Sequence, residues 1–137
     1  MNRQDAKNAK EEPEEELDWL AHEVIGAALD VHRHLGPGFL ESTYQKALLV
    51  EFRLRGIPVT AQFPVALEYK GEPIGEGFLD FLVRDSLVVE LKAVDQLAPI
   101  HTAQVISYLK ATRLHLGLLI NFNTPRQIGR ASCRERV

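Results

Sequence analysis

The 137-residue chain has a single cysteine, Cys133, close to its C-terminal end. A disulfide framework and a cysteine-based metal site are both excluded. No apolar run approaches the roughly 20 residues that a membrane-spanning helix needs. The opening stretch, MNRQDAKNAKEEPEEE, is too charged to read as a signal peptide. The expected location is therefore cytoplasmic, with no membrane partner. A nucleotide-binding P-loop is missing too, because GPG and GEPIGEG lack its spacing and its Lys-Ser/Thr ending. The histidines form no metal set. His32 and His34 fall on different helix faces, and His22 and His115 stand apart. His101 is the one to watch, since it precedes Gln104 by one turn.

Basic excess is also lacking, at a net charge of −3. The last ten residues, IGRASCRERV, can be back-translated as ATC GGA AGA GCG TCG TGT AGG GAA AGA GTG, which resembles read-through of a sequencing adapter. Residues 128–137 are set aside as non-native, and they are expected to carry little regular structure and to contribute little stability. Without Arg130, Arg134, Arg136 and Glu135 the remaining chain is more acidic, at −5. A free-standing nucleic-acid binder normally shows a basic footprint. Any phosphate contacts would have to be local, from Lys92, Lys110 and Arg113.

What is present suits one globular domain: 45% hydrophobic and 26% charged residues over a length that supports a single core. Residues 1–16 read as a disordered acidic lead-in that runs into a helical first turn. Leu17, Leu20, Ala21, Val24, Ala28 and Val31 recur at helical spacing, giving a helix to about His34. Gly36-Pro37-Gly38 breaks it. A second helix runs from about Leu40 to Arg55. Val59 to Tyr69 alternate as a strand, Lys70-Gly71-Glu72-Pro73 turn, and further strands follow at about 74–83 and 87–93. A helix over about Pro99–Thr112 leads by a crossover to a short apolar strand at 115–122, parallel to its predecessor. The order ααβββαβ is an α+β (α/β-type) arrangement with a four-stranded mixed sheet flanked by helices.

The chemistry concentrates in GEGFLDFLVRDSLVVELKA. With a three-residue turn at Arg84-Asp85-Ser86, Val83 pairs with Leu87, Leu82 with Val88 and Asp80 with Glu90. Opposed residues on one face have Cβ atoms roughly 4.5–5.5 Å apart. Glu90 and Lys92 share a face because strand side chains alternate. Two carboxylates and an ammonium thus converge in an otherwise apolar hairpin. Phe78 and Leu82, expected on the face of Asp80, make a solvated reading of that aspartate unfavourable. Charges in such a place are costly unless they bind something, and a divalent cation fits.

This Asp…Glu-x-Lys pattern resembles the PD-(D/E)XK nuclease superfamily, although Leu79 stands where the superfamily name has proline. Gly38 to Tyr44 match a G-x-x-E-x-x-Y signature. The run from Val24 to Ile57, then GEGFLDFLV, VVELKAV, PIHTAQVISYLK and LGLLINFN, is similar to the small bacterial proteins called GxxExxY proteins, over about residues 17–124. The resemblance implies a restriction-endonuclease-like core and a phosphodiester-cleaving activity on DNA or RNA. It implies Asp80, Glu90 and Lys92 as the catalytic set. Mg²⁺ or Mn²⁺ would be held by Asp80, Glu90, the Leu91 carbonyl and Glu41, the last directly or through water. Gly38 and Tyr44 would support the site. Gln104 and Tyr108, four apart on one helix face, look like a Q-x-x-x-Y element that would orient the lysine or the phosphate.

Bland readings stand beside these. Glu90 and Lys92 can form an ordinary ion pair. Glu41 suits the first turn of any helix, and Tyr44 and Leu48 mark that helix face as core-directed. Gln104 can be solvated while Tyr108 packs inside. The rival function is a non-catalytic binding or assembly module that keeps the nuclease scaffold, with homo-oligomerisation open in either case.

Overall fold

The computed structural model describes residues 14–124 and 127–132. Helix α1 (Glu14–Leu35) buries Leu17, Leu20, Ala21, Val24, Ala27, Ala28 and Val31 along one stripe. Glu14, Glu15 and Glu16 occupy its first turn and His32, Arg33 and His34 its last, which suits the helix dipole at both ends. The acidic residues 14–16 are therefore helical rather than part of a disordered lead-in. Residues 1–13 lie outside the described residues.

Helix α2 (Glu41–Leu54) buries Tyr44, Leu48 and Phe52. Arg55, just past its end, bonds Glu51 at 2.8 Å and Asp30 of α1 at 2.5 Å, fixing the two helices against each other.

Strands β1 (Val59–Tyr69) and β2 (Glu72–Val83) form a long antiparallel hairpin. Its turn is only Lys70-Gly71, with φ of 50° and 82°, and Tyr69 pairs with Glu72. Two consecutive positive φ values match the twist of flanking strands. Glu72 and Pro73 thus belong to the strand and not to the turn. Strand β3 (Leu87–Lys92) follows after Arg84-Asp85-Ser86, with Val83 opposite Leu87. Helix α3 (Pro99–Thr112) crosses over to β4 (Leu116–Asn121), which lies parallel to β3.

These four strands make the expected mixed sheet. A fifth, β5 (Gln127–Ser132), pairs antiparallel to β4 in the order β1-β2-β3-β4-β5. This corrects the expectation that residues from 128 on carry little regular structure. Backbone pairing to an open edge asks little of the side chains, so sequence pattern gave no sign of it. Residues 133–137 lie outside the described residues.

Two cores cover the two faces of the sheet. Helices α1 and α2 pack on Phe81, Val83, Leu87, Val89, Leu91, Leu116, Leu118, Ile120 and Phe122. Helix α3 packs on Val65, Leu79, Leu82, Val88 and Leu119. Its approach is close: a Cβ on Gly117 would sit 2.7 Å from Val105 Cγ1, and one on Gly77 would sit 2.7 Å from Tyr108 Cε1.

Candidate active site

Strand β2 changes allegiance at Asp80. Leu79 packs in the α3 core and Phe81 in the α1–α2 core, although strand residues two apart normally share a face. In β1, Ala61 and Phe63 divide in the same way. The β1–β2 register is unbroken there, with Ala61 opposite Phe81 and Phe63 opposite Leu79, so no residue has slipped. Between them Gln62 takes a φ of 54°, a left-handed conformation that is costly for a non-glycine residue. The kink lies across from Asp80. It also overturns the expected neighbourhood of that aspartate: Phe78 is exposed, while Leu82 is buried against α3.

The β2–β3 ladder runs through Leu82–Val88 to Phe81–Val89. At the next position the carboxylates take over from the carbonyls. The Asp80 amide donates to Glu90 Oε2 at 2.9 Å, and the Leu91 amide donates to Asp80 Oδ2 at 2.8 Å. Each carboxylate is fixed through one oxygen, and the other oxygen of each takes no further hydrogen bond among the described residues. Asp80 and Glu90 are therefore brought together across the hairpin, as the turn length implies.

Burial and crowding shape the electrostatics. Glu90 is 6% exposed. Its carboxyl is pushed up to about 8, first by burial, then by the Asp80 charge and more weakly by Glu41; the Asp80 amide and Lys92 oppose the shift. Burial also raises Asp80, against the Leu91 amide and Lys92. Glu41 is raised by burial and next by Asp80, again against Lys92. Glu41, Asp80, Glu90 and Lys92 thus share one electrostatic neighbourhood. Among the described residues no three acidic, histidine or cysteine side chains are gathered tightly enough to hold a metal ion on their own. The two hairpin carboxylates are the inner pair, and Glu41 belongs to a wider ring.

The signature around Glu41 has a structural basis. Gly38 has a φ of 110°, which a side chain would strain. The Tyr44 hydroxyl donates to the Gly36 carbonyl at 2.5 Å and accepts from the Phe39 amide at 3.2 Å. Tyr44 is fully buried.

Gln104 and Tyr108 come together on one side of α3. With Leu67, Ile100, Ala103 and Ser107 they line a groove of about 410 Å³ beside α3. Tyr108 is partly buried and Gln104 exposed, and neither joins the hydrogen bonds or charge couplings of the carboxylates. His101 accepts the Ala98 amide at Nδ1, 3.0 Å away, and so caps the start of α3.

Two residues went unnoticed in the sequence. Asn121 is buried at the end of β4, where its carboxamide bonds both the amide and the carbonyl of Val94, at 3.1 and 2.9 Å. The next residue, Phe122, donates its amide to the Lys92 carbonyl at 2.9 Å and stacks its ring on Tyr44, with centroids 4.7 Å apart. A polar residue closing the apolar run LGLLIN was the available signal.

No curated protein and no solved structure matches the chain. A family model described as the PD-(D/E)XK nuclease superfamily matches residues 18–132. That span takes in both carboxylates of the hairpin, the lysine beyond them and all five strands, and the chain belongs to the PD-(D/E)XK nuclease superfamily.

Proposed function

We propose that this chain is a divalent-metal-dependent phosphodiester hydrolase of the GxxExxY type, acting on DNA or RNA. The main support is the Asp80–Glu90 pair: a buried and a half-buried carboxylate, each pinned by one backbone amide and with no further hydrogen bond to its second oxygen among the described residues. A single lysine offsets them incompletely, since all three acids of the cluster remain raised. Such a pair fits a hard cation better than it fits a structural core.

Asp80, Glu90 and the Leu91 carbonyl would hold Mg²⁺ or Mn²⁺, with Glu41 acting through water. A small ion that keeps several waters suits so short a protein ligand set. When bound, the ion supplies acidification of water and charge neutralisation at the phosphate. Lys92 orients the attacking water and offsets charge that builds on the phosphate oxygens. Glu41 accepts hydrogen bonds from water at the rim of the cluster. Gln104 and Tyr108, which line a groove beside α3, would orient the lysine or the phosphate.

One observation favours the rival module. Residues 1–127 carry a net charge of −5, which repels a polyanion. A cleavage assay on single- and double-stranded DNA and RNA, with Mg²⁺ and with Mn²⁺, separates the two. Cleavage that disappears in Asp80→Asn and Lys92→Ala supports the hydrolase. Metal binding with no cleavage of any substrate favours the module.

A further inference from the structure

We infer that Tyr44 and Phe122 form one positioning unit, which docks the first turn of α2, and with it Glu41, against the Lys92 end of β3. This deepens the hydrolase reading and rests on it. The contacts run without a gap. The Phe122 amide is bonded to the Lys92 carbonyl, so this ring rides on the strand end that carries the lysine. The Phe122 ring lies nearly parallel to that of Tyr44, at 9°. The Tyr44 hydroxyl clasps the preceding loop at two points, the Gly36 carbonyl and the Phe39 amide. The Phe39 ring then packs edge-on against Tyr44 at 6.0 Å.

Glu41 sits between the two parts of this clasp in sequence, one turn before Tyr44. Helix α2 has no side-chain cap at Leu40 to fix its start. Without a cap, the Tyr44 hydroxyl is what ties the loop to the helix. Asn121 secures the other side, since its two bonds to Val94 hold the chain that leaves Lys92. The unit contributes no atom to the reacting centre. It sets the distance between an acid on a helix and a lysine on a strand, two elements that share no backbone ladder.

The test is a double-mutant cycle of Tyr44→Phe with Glu41→Gln, read by calorimetric Mn²⁺ binding as well as by cleavage. Tyr44→Phe keeps the ring stack and removes only the clasp. We expect it to weaken Mn²⁺ binding roughly threefold to tenfold, the worth of one or two buried hydrogen bonds. Substrate KM should stay unchanged. In the Glu41→Gln background the same substitution should leave Mn²⁺ affinity unchanged, because its target is already gone. Hydrogen exchange at the Phe39 amide should speed up in Tyr44→Phe. Equal losses of Mn²⁺ affinity in both backgrounds would overturn the inference, as would an unchanged affinity in Tyr44→Phe alone. If the wild-type chain binds Mn²⁺ but cleaves nothing, the hydrolase reading fails while the binding cycle still decides the positioning role. A wild-type chain that binds no Mn²⁺ sinks both.

Discussion

The β2–β3 hairpin is built in two ways along its length. Near the turn, Phe81, Leu82, Val83, Leu87, Val88 and Val89 are all buried and joined by ordinary backbone pairing. One step further out, Asp80 and Glu90 replace that pairing with side-chain bonds to amides. The near half lowers the free energy of the fold through apolar burial on both faces. The far half raises it, because crowded carboxylates are held partly out of water. A cost of this kind is what a binding site leaves behind when its ligand is not counted. The near half acts as the rigid support that keeps the costly half in place.

Breaking the support should have the largest effect. Phe81 is fully buried and meets Phe52 edge-on at 5.3 Å. Phe81→Ala should cost about 3–5 kcal/mol of stability in urea unfolding. A cost below about 1 kcal/mol would mean that the near half is not the support.

Removing charge from the far half should do the reverse. Lys92→Ala should lower cleavage roughly 10²–10³-fold, in keeping with loss of one group that stabilises transition-state charge, while the urea midpoint moves little. Asp80→Asn should abolish the thermal stabilisation by Mg²⁺, which amounts to about 2.7 kcal/mol for the wild type at a concentration near 100 times Kd. An Asp80→Asn protein that still gains the full Mg²⁺ shift would place the metal elsewhere.

The same contrast has a pH signature. Glu90 is raised in the folded chain to about 8, from an ordinary value of 4.5. Between those values the folded state holds more protons than the unfolded state, so the metal-free protein should lose stability as pH rises through that window. The contribution is fully present below the unfolded value and gone above the folded one. Glu90→Gln should flatten the slope and be the more stable protein at pH 8. Mg²⁺ should flatten it as well, because the ion displaces the proton. A wild-type profile that rises from pH 5 to 8 without metal would contradict the crowding.

The near half was legible in sequence because strand period and turn length both act locally. Counting outward from Arg84-Asp85-Ser86 fixes Asp80 opposite Glu90, and the backbone follows that count up to Phe81. Helix α2 and the parallel β3–β4 pair were legible for the same reason. The kink at Gln62 was not, since nothing in glutamine announces a positive φ, and with it Phe78 is exposed while Leu82 is buried in the α3 core. Gln104 and Tyr108 share a helix face as their spacing requires. Spacing along a helix does not, however, give the distance from that face to the carboxylates. The Tyr44 ring stack needed a partner 78 residues away, at Phe122.

Strand β5 provides the smallest effect and the finest version of the contrast. Like the near half of the hairpin it is joined by a regular ladder, from Asn121–Gln127 to Leu116–Ser132. Unlike that half, its sequence QIGRAS offers only Ile128 as a large apolar side chain. Each backbone hydrogen bond contributes about 0.5–1.5 kcal/mol net, and fixing each residue costs about 1–2 kcal/mol of chain entropy. The two nearly cancel where little side-chain burial is added. Deleting residues 128–137 should therefore shift the melting temperature by no more than a few degrees, and Mg²⁺ binding should persist. This outcome also suits a tail that was never selected to pack. A drop comparable to that of Phe81→Ala would mean that β5 is held by side-chain packing like the near half of the hairpin, and that residues 128–137 belong to the evolved fold.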